Sequence, residues 1–337
     1  MGRCFTENIT EEEIMDDIPF AITDIADDMK DEKVLAEVLR TTLIERIKEG
    51  EEGNGVDHKT VMNDARQIIT SAQGSKVKWV IQNTLVGDKN LGELSNAIVV
   101  SGASIELIDL APFSEDLHYK YMDERKPVIY GSTTFMLLAY QHEYLSQGVF
   151  YDESSFLMSE YIKRWGRSVL NNDAVIVKAG EVNDLKYDND QTYFIRPNDD
   201  YKAFAGSLMS FHDIKKIIDG VIDENPYITP DTELVLCSPK RIGKEWRNII
   251  IQGRVISSCR YRFYGEQSID EDDAPADMID FVEALCGIFT PHDVFVMDVC
   301  ECEGEYFVIE CNCFNGSGIY SKDISKIVNA VNAYIEN

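Results

Sequence analysis

No apolar run in this chain approaches the roughly 18 to 20 residues that a membrane-spanning helix requires, so an α-helical membrane protein is not expected. Cysteine is sparse, with eight in 337 residues, and none lies in a C-x-x-C pair. That excludes a disulfide-stapled scaffold and the usual paired zinc and redox motifs, and it implies free thiols in a reducing cytosol. The five histidines, at 58, 118, 142, 212 and 292, are scattered, and none has a nucleophile at readable spacing. Basic residues are outnumbered, 32 Lys and Arg against 60 Asp and Glu, for a formal net charge of −28. Such a surface repels phosphate backbones and anionic lipids at long range, although a local basic cleft stays compatible with it. No signal-peptide pattern, internal repeat or low-complexity tract is visible, and the expected location is the cytoplasm.

Hydrophobic residues make up 44% of the chain and aromatics 10%, enough for sizeable cores, and the length suits more than one folded unit. Residues 1–76 read as an acidic helical extension. Thr10 with Glu13 forms a capping-box pattern, and Val34, Leu35, Val38, Leu39, Leu43, Ile44 and Ile47 recur at helical spacing. From residue 77 the texture changes. "KVKWVIQNTL", "SIELIDLAP" and "KPVIYGSTTF" are short apolar strands separated by helix or loop, the alternation of a small α/β unit over 77–150. Residues 151–337 carry more strands, among them "AVIVKAGEV", "TYFIRP", "ELVLCSP", "RNIIIQGRVISSCRYRF", "DVFVMDVCEC" and "EYFVIECNCF". Helices are expected at "SFHDIKKIIDGVI", at "APADMIDFVEALCGIF", which has Pro275 at its start and Gly287 at its end, and at "DISKIVNAVNAYIEN". The predicted class is α/β (α+β).

The last two strands each end an apolar run in a polar residue. Asp298 follows Val294–Met297, and Glu310 and Asn312 follow Phe307–Ile309. Burying an unpaired carboxylate is costly, so two on neighbouring strands need a common partner. With a three-residue loop at 303–305, Cys302 pairs with Tyr306 and Asp298 lies opposite Glu310. Asp298, Glu310 and Asn312 then share a face of hard oxygen donors suited to Mg²⁺ or Mn²⁺. The same parity sends Cys311 and Cys313 to the face opposite Cys300 and Cys302, which disfavours a four-thiolate zinc site.

Cations cluster on other strands. Arg196 ends one, Lys202 and Gly206 follow it, Lys240 follows "ELVLCSP", and Arg247, Arg260 and Arg262 lie on the next pair. Strand-end positive charge beside a small-residue loop suits a polyphosphate. The order of these pieces resembles the ATP-grasp superfamily, in particular the phage and bacterial clade named for one arginine and two lysines. The resemblance rests on "FIRPNDDYKAFAG", "SPKRIGKEWRNIIIQGRVISSCRYR" and "MDVCECEGEYFVIECNCFNGSGIY", and covers roughly residues 77–335. It implies an ATP-grasp fold with a small pre-grasp domain, ATP and Mg²⁺ as cofactors, and an ATP-dependent carboxylate–amine ligase releasing ADP and phosphate. Arg196 and Lys202 would face the phosphates. Leu236, Cys237, Ser238 and Lys240 would form the adenine hinge. Arg247, Arg260 and Arg262 would serve the transferring group, with Asp298, Glu310 and Asn312 on the metal. An acidic ribose contact at the hinge is not evident. An ATP-binding regulatory protein and a nucleic-acid end-modifying enzyme are the alternatives. The second would use a basic cleft of Lys240, Arg241, Lys244, Arg247, Arg254, Arg260 and Arg262.

Overall fold

A computed structural model describes residues 76–83, 88–110, 114, 116–120, 124–200, 204–224, 228–320 and 323–337. The expected helical extension therefore lies outside the described residues, apart from Lys76, and so does Lys202. Among the described residues no helix is long and apolar enough to cross a membrane.

The first sheet is parallel and small. Strand β1 (Val77–Gln82) is buried along its whole length, as a central parallel strand must be, and lies between β2 (Ser104–Ile108) and β3 (Lys126–Tyr130). Helix α1 (Asp88–Val100) makes the crossover from β1 to β2. Helix α2 (Thr133–Tyr140) follows β3, its first turn capped by the Ser132 hydroxyl, which accepts from the Phe135 N–H at 3.0 Å.

Two antiparallel sheets follow helix α3 (Met158–Trp165). The four-stranded one has the order β4 (Val175–Lys178), β7 (Glu233–Cys237), β5 (Thr192–Pro197), β6 (Ser207–Ser210), with α4 (Phe211–Glu224) after β6. The five-stranded one runs β10 (Glu266–Asp270), β9 (Arg254–Phe263), β8 (Lys244–Ile251), β11 (Val294–Cys302), β12 (Glu305–Cys313). Helix α5 (Ala276–Cys286) begins after Pro275 and stops at Gly287, as their positions predict. Helix α6 (Ile324–Glu336) closes the chain under an Asp323 cap. Sequence reasoning missed β6, β10 and α3. The two strands are only four and five residues long, and most of β10 is charged or amide, so neither shows an apolar run.

The loop between β11 and β12 corrects the expected register. It is a two-residue turn, Glu303 and Gly304, with φ of 55° and 84°, and Cys302 pairs with Glu305 rather than Tyr306. Paired left-handed residues match the twist of the flanking strands. Asp298 still lies opposite Glu310, because Ile309 is an extra residue that bulges out of β12. A second bulge, at Tyr261 of β9, places Arg262 opposite Glu245 and Arg260 opposite Trp246.

A buried amide joins the small sheet to the end of β12. Asn315 accepts from the Phe150 N–H at 2.6 Å and donates to the Ile129 and Gly148 carbonyls at 2.6 and 2.8 Å. Phe314 packs beside it against Trp79, Tyr130 and Phe150. The segment that follows Asn312 is thereby held against the first sheet.

Candidate active site

A cleft of about 810 Å³ opens between the two antiparallel sheets. From the four-stranded sheet it receives Phe194, Arg196, Gly206 and Leu208, with Ser238 and Lys240 just past β7. From the five-stranded sheet it receives Glu245, Arg247, Tyr261, Arg262, Asp298, Ile309 and Glu310. Gly206 is required where it is, since a Cβ there would meet the Phe194 ring at 2.6 Å. Both bulges open onto this cleft: Ile309 and Glu310 line it side by side, and so do Tyr261 and Arg262.

The floor is an array of paired charges. Asp298 is fully buried and accepts two hydrogen bonds from Arg247, Nε to Oδ1 at 2.9 Å and Nη2 to Oδ2 at 2.7 Å. The Arg247 guanidinium sits between the parallel rings of Tyr261 and Tyr320, 5.3 and 5.2 Å from their centroids. Glu310 accepts from Nη1 of Arg196 at 2.5 Å. Burial opposes the charge of both arginines, but Glu310 beside Arg196 and Asp298 beside Arg247 hold them above the ordinary guanidinium range. Asn312, also fully buried, donates from Nδ2 toward Asp298 Oδ2 at 3.4 Å and Glu310 Oε1 at 3.3 Å.

The metal expectation can be tested on these residues. Asn312 Oδ1 is buried with no hydrogen-bond partner among the described residues. In this orientation Nδ2 is the amide atom facing the two carboxylates; with the amide turned about, Oδ1 would face them instead, and Asp298, Glu310 and Asn312 would offer a divalent cation a set of hard oxygen donors. The residues fit a Mg²⁺ ion. The thiols are elsewhere: Cys311 and Cys313 lie in the apolar core with Phe295 and Met297, and the seven described cysteines are free. Burial pushes the Cys300 and Cys311 thiols up, against the thiolate that zinc needs. Purified protein is therefore expected to hold no stoichiometric zinc by elemental analysis, and EDTA should leave its Tm unchanged. One tightly held zinc per chain would overturn this arrangement.

The remaining predicted residues divide. Lys240 and Ser238 reach the cleft, but Leu236 and Cys237 are buried in β7 and do not line it. Arg260 is not brought to the cleft, which corrects its grouping with Arg262. Strict alternation would give the two one face, but the Tyr261 bulge breaks it. Arg260 instead binds Asp273 at 2.7 Å, Asp270 at 3.0 Å and Ser268. The supposed basic cleft is also largely neutralised: Lys240 pairs with Asp173, Lys244 with Asp273, Arg247 with Asp298, Arg254 with Glu283, and Arg260 with Asp270 and Asp273.

Three residues escaped sequence reasoning. Asp173 accepts from Lys240 Nζ, 2.8 Å from each carboxylate oxygen, and from the Ser238 hydroxyl, so an acidic group does stand beside the segment expected to form the hinge. Partial burial raises its carboxyl, but Lys240 and Ser238 outweigh that and hold it below the usual range. The other two are Glu245 and Asn315. None of the three carries a local signal in the sequence.

Two antiparallel sheets lining one cleft, with strand-borne arginines and a D…E-x-N set at its floor, match the expected ATP-grasp arrangement. The chain belongs to an ATP-grasp domain family, the third of the clade named for one arginine and two lysines, whose model matches residues 143–331, more than half of its length. Solved structures share the fold at low identity. D-cycloserine synthetase DcsG aligns at 12% identity and TM-score 0.52, over 77% of this chain and 99% of its own. The ATP-grasp ligase PsnB, complexed with minimal precursor, aligns at 11% and 0.50, over 77% and 99%. A RimK domain ATP-grasp protein from Sphaerobacter thermophilus DSM 20745 aligns at 11% and 0.50, over 77% and 100%. No curated protein sequence matches the chain.

Proposed function

We propose that this protein is an ATP-dependent ligase that activates a carboxylate by phosphoryl transfer and joins it to an amine, releasing ADP and phosphate. The observation that carries this reading is the floor of the cleft: Asp298 and Glu310 meet the Asn312 side chain, whose amide oxygen is left unsatisfied, with Arg196 and Arg247 on the two carboxylates. Residues 77–150 serve as the pre-grasp unit and 151–337 as the nucleotide-binding unit. Asp298, Glu310 and Asn312 hold Mg²⁺, which when bound neutralises charge on the phosphate oxygens. Arg196 and Lys240 border the phosphate end, with Lys202 as a further candidate from its place in the sequence. Ser238 belongs to the hinge, backed by the buried Leu236 and Cys237. Arg247 and Arg262 face the transferring group.

No side-chain nucleophile is required, because catalysis here rests on positioning and on preorganised charge. The two tyrosines fix the plane of Arg247, and Asp298 fixes its direction, so its charge needs no reorganisation during reaction. The names of DcsG and PsnB, a synthetase and a ligase, accord with this chemistry.

The test is incubation with Mg·ATP and fractionated cell extract, with nucleotide products resolved by chromatography and acceptors by mass. ADP and phosphate are expected, together with a metabolite that gains the mass of a second one less water. AMP and pyrophosphate would refute the scheme in favour of an adenylating enzyme.

A further inference from the structure

Glu245 is an anomaly of this cleft. Asp298 and Glu310 each have an arginine, and Asp173 at the rim has Lys240. Glu245 is buried, lines the same cleft, and among the described residues makes no ion pair. Its one hydrogen bond comes from the Tyr261 hydroxyl to Oε2 at 3.0 Å. A tyrosine needs only a neutral acceptor, and an amide side chain would serve it without the desolvation cost of a buried carboxylate. Arg262, opposite on β9, eases the charge without forming an ion pair, and two acids work against it. The neighbouring acids Asp298 and Glu310 face the same space, and a polyphosphate would bring more negative charge. A carboxylate kept in such a place calls for a cation that arrives with the substrate.

We propose that Glu245 binds the ammonium group of the acceptor amine, which fixes the second substrate as a primary amine. This rests on the ligase reading above. Glu245 stands two residues before Arg247 on β8, on the same strand face and hence about 7 Å along the strand. An ammonium held there would share the cleft with Arg247 and with Asp298 and Glu310. Arg262, opposite Glu245 across the β8–β9 pair, lines the same end and borders the carboxylate of the first substrate. Burial holds the Glu245 carboxyl above its usual range. The Tyr261 hydrogen bond and the charge of Arg262 oppose this, and Asp298 and Glu310 add to it. An ammonium beside Oε1 supplies the missing positive partner.

The acceptor itself is unidentified, so methylammonium is the probe. Full-length protein is loaded with Mg²⁺ and adenylyl imidodiphosphate, and methylammonium binding is followed by saturation-transfer difference NMR. Glu245→Gln keeps the size of the side chain and an acceptor for Tyr261. Glu305→Gln, at the exposed start of β12, makes the same change in net charge and reads out non-specific surface attraction. Wild type and Glu305→Gln should give the same saturable signal, and Glu245→Gln should bind methylammonium about tenfold more weakly. Equal affinity in Glu245→Gln and wild type overturns the assignment, as does the lack of any saturable signal in nucleotide-loaded wild type. Nucleotide binding is measured in the same samples. If wild type fails to bind the nucleotide, the ligase reading itself falls, whereas nucleotide binding without methylammonium binding removes the Glu245 site alone.

Discussion

Replacing Glu310 by glutamine is expected to lower Mg·ATP-dependent ADP formation by about a hundredfold or more, a loss on the order of 3 kcal/mol in barrier stabilisation. Glu310 has two functions in the cleft, and the choice of variant has to separate them. It is one of two carboxylates facing Asn312, and it is also the partner of Arg196, which is almost wholly buried. Alanine would leave the guanidinium without its anion, and breaking a buried pair from one side typically costs about 3–5 kcal/mol, so lost activity would be confused with lost folding. Glutamine leaves an oxygen to accept from Arg196 and removes only the charge. The variant should therefore melt cooperatively, show weakened dependence on Mg²⁺, and turn over ATP only marginally. Wild-type turnover with an unchanged Mg²⁺ requirement would sink the metal assignment.

Replacing Arg247 by methionine should be comparably severe, about a hundredfold or more in kcat, because it deletes a charge already aimed and braced. Methionine keeps an unbranched stem between Tyr261 and Tyr320 but removes both Arg247 hydrogen bonds from the fully buried Asp298. In the absence of nucleotide and metal, the variant should melt well below wild type. Mg²⁺ with nucleotide should then raise its Tm by more than it raises that of wild type, since the bound cation would offset the guanidinium charge lost beside Asp298. Arg260→Met provides the contrast. Arg260 bridges Asp270, Asp273 and Ser268 away from the cleft, so its loss should lower Tm while leaving kcat within a few-fold. A hundredfold fall in kcat for Arg260→Met with Tm intact would restore it to the site and displace the reading of the Tyr261 bulge.

Much of this protein is legible in one dimension. Apolar runs bounded by turn residues place β1, β5, β7, β8, β11 and β12, and helical periodicity with Pro275 and Gly287 places α5. The oddity of Asp298, Glu310 and Asn312 at the ends of apolar strands is visible without a fold, because a carboxylate in such a run violates local expectation by itself. Even the pairing of Asp298 with Glu310 is reached, although through a turn one residue too long and without the bulge that compensates for it. A bulge adds a residue to one strand alone, so the parity count beyond it reverses with no mark in composition. That is why Arg260 and Arg262 look equivalent as sequence and stand on opposite sides of β9 in the structure.

The charge pairing belongs wholly to the tertiary structure. Arg196 meets Glu310 across 114 positions, Lys240 meets Asp173 across 67, and Arg247 meets Asp298 across 51. The sequence by itself determined where the long apolar strands form and which residues are out of place in them, since both follow from local periodicity and the cost of burying charge. Only the tertiary structure decided which arginine neutralises which acid, Arg247 and Asp298 across β8 and β11 of one sheet and Arg196 and Glu310 between the two sheets, and that Glu245 makes no ion pair among the described residues, because an ion pair depends on distances that no spacing along the chain records.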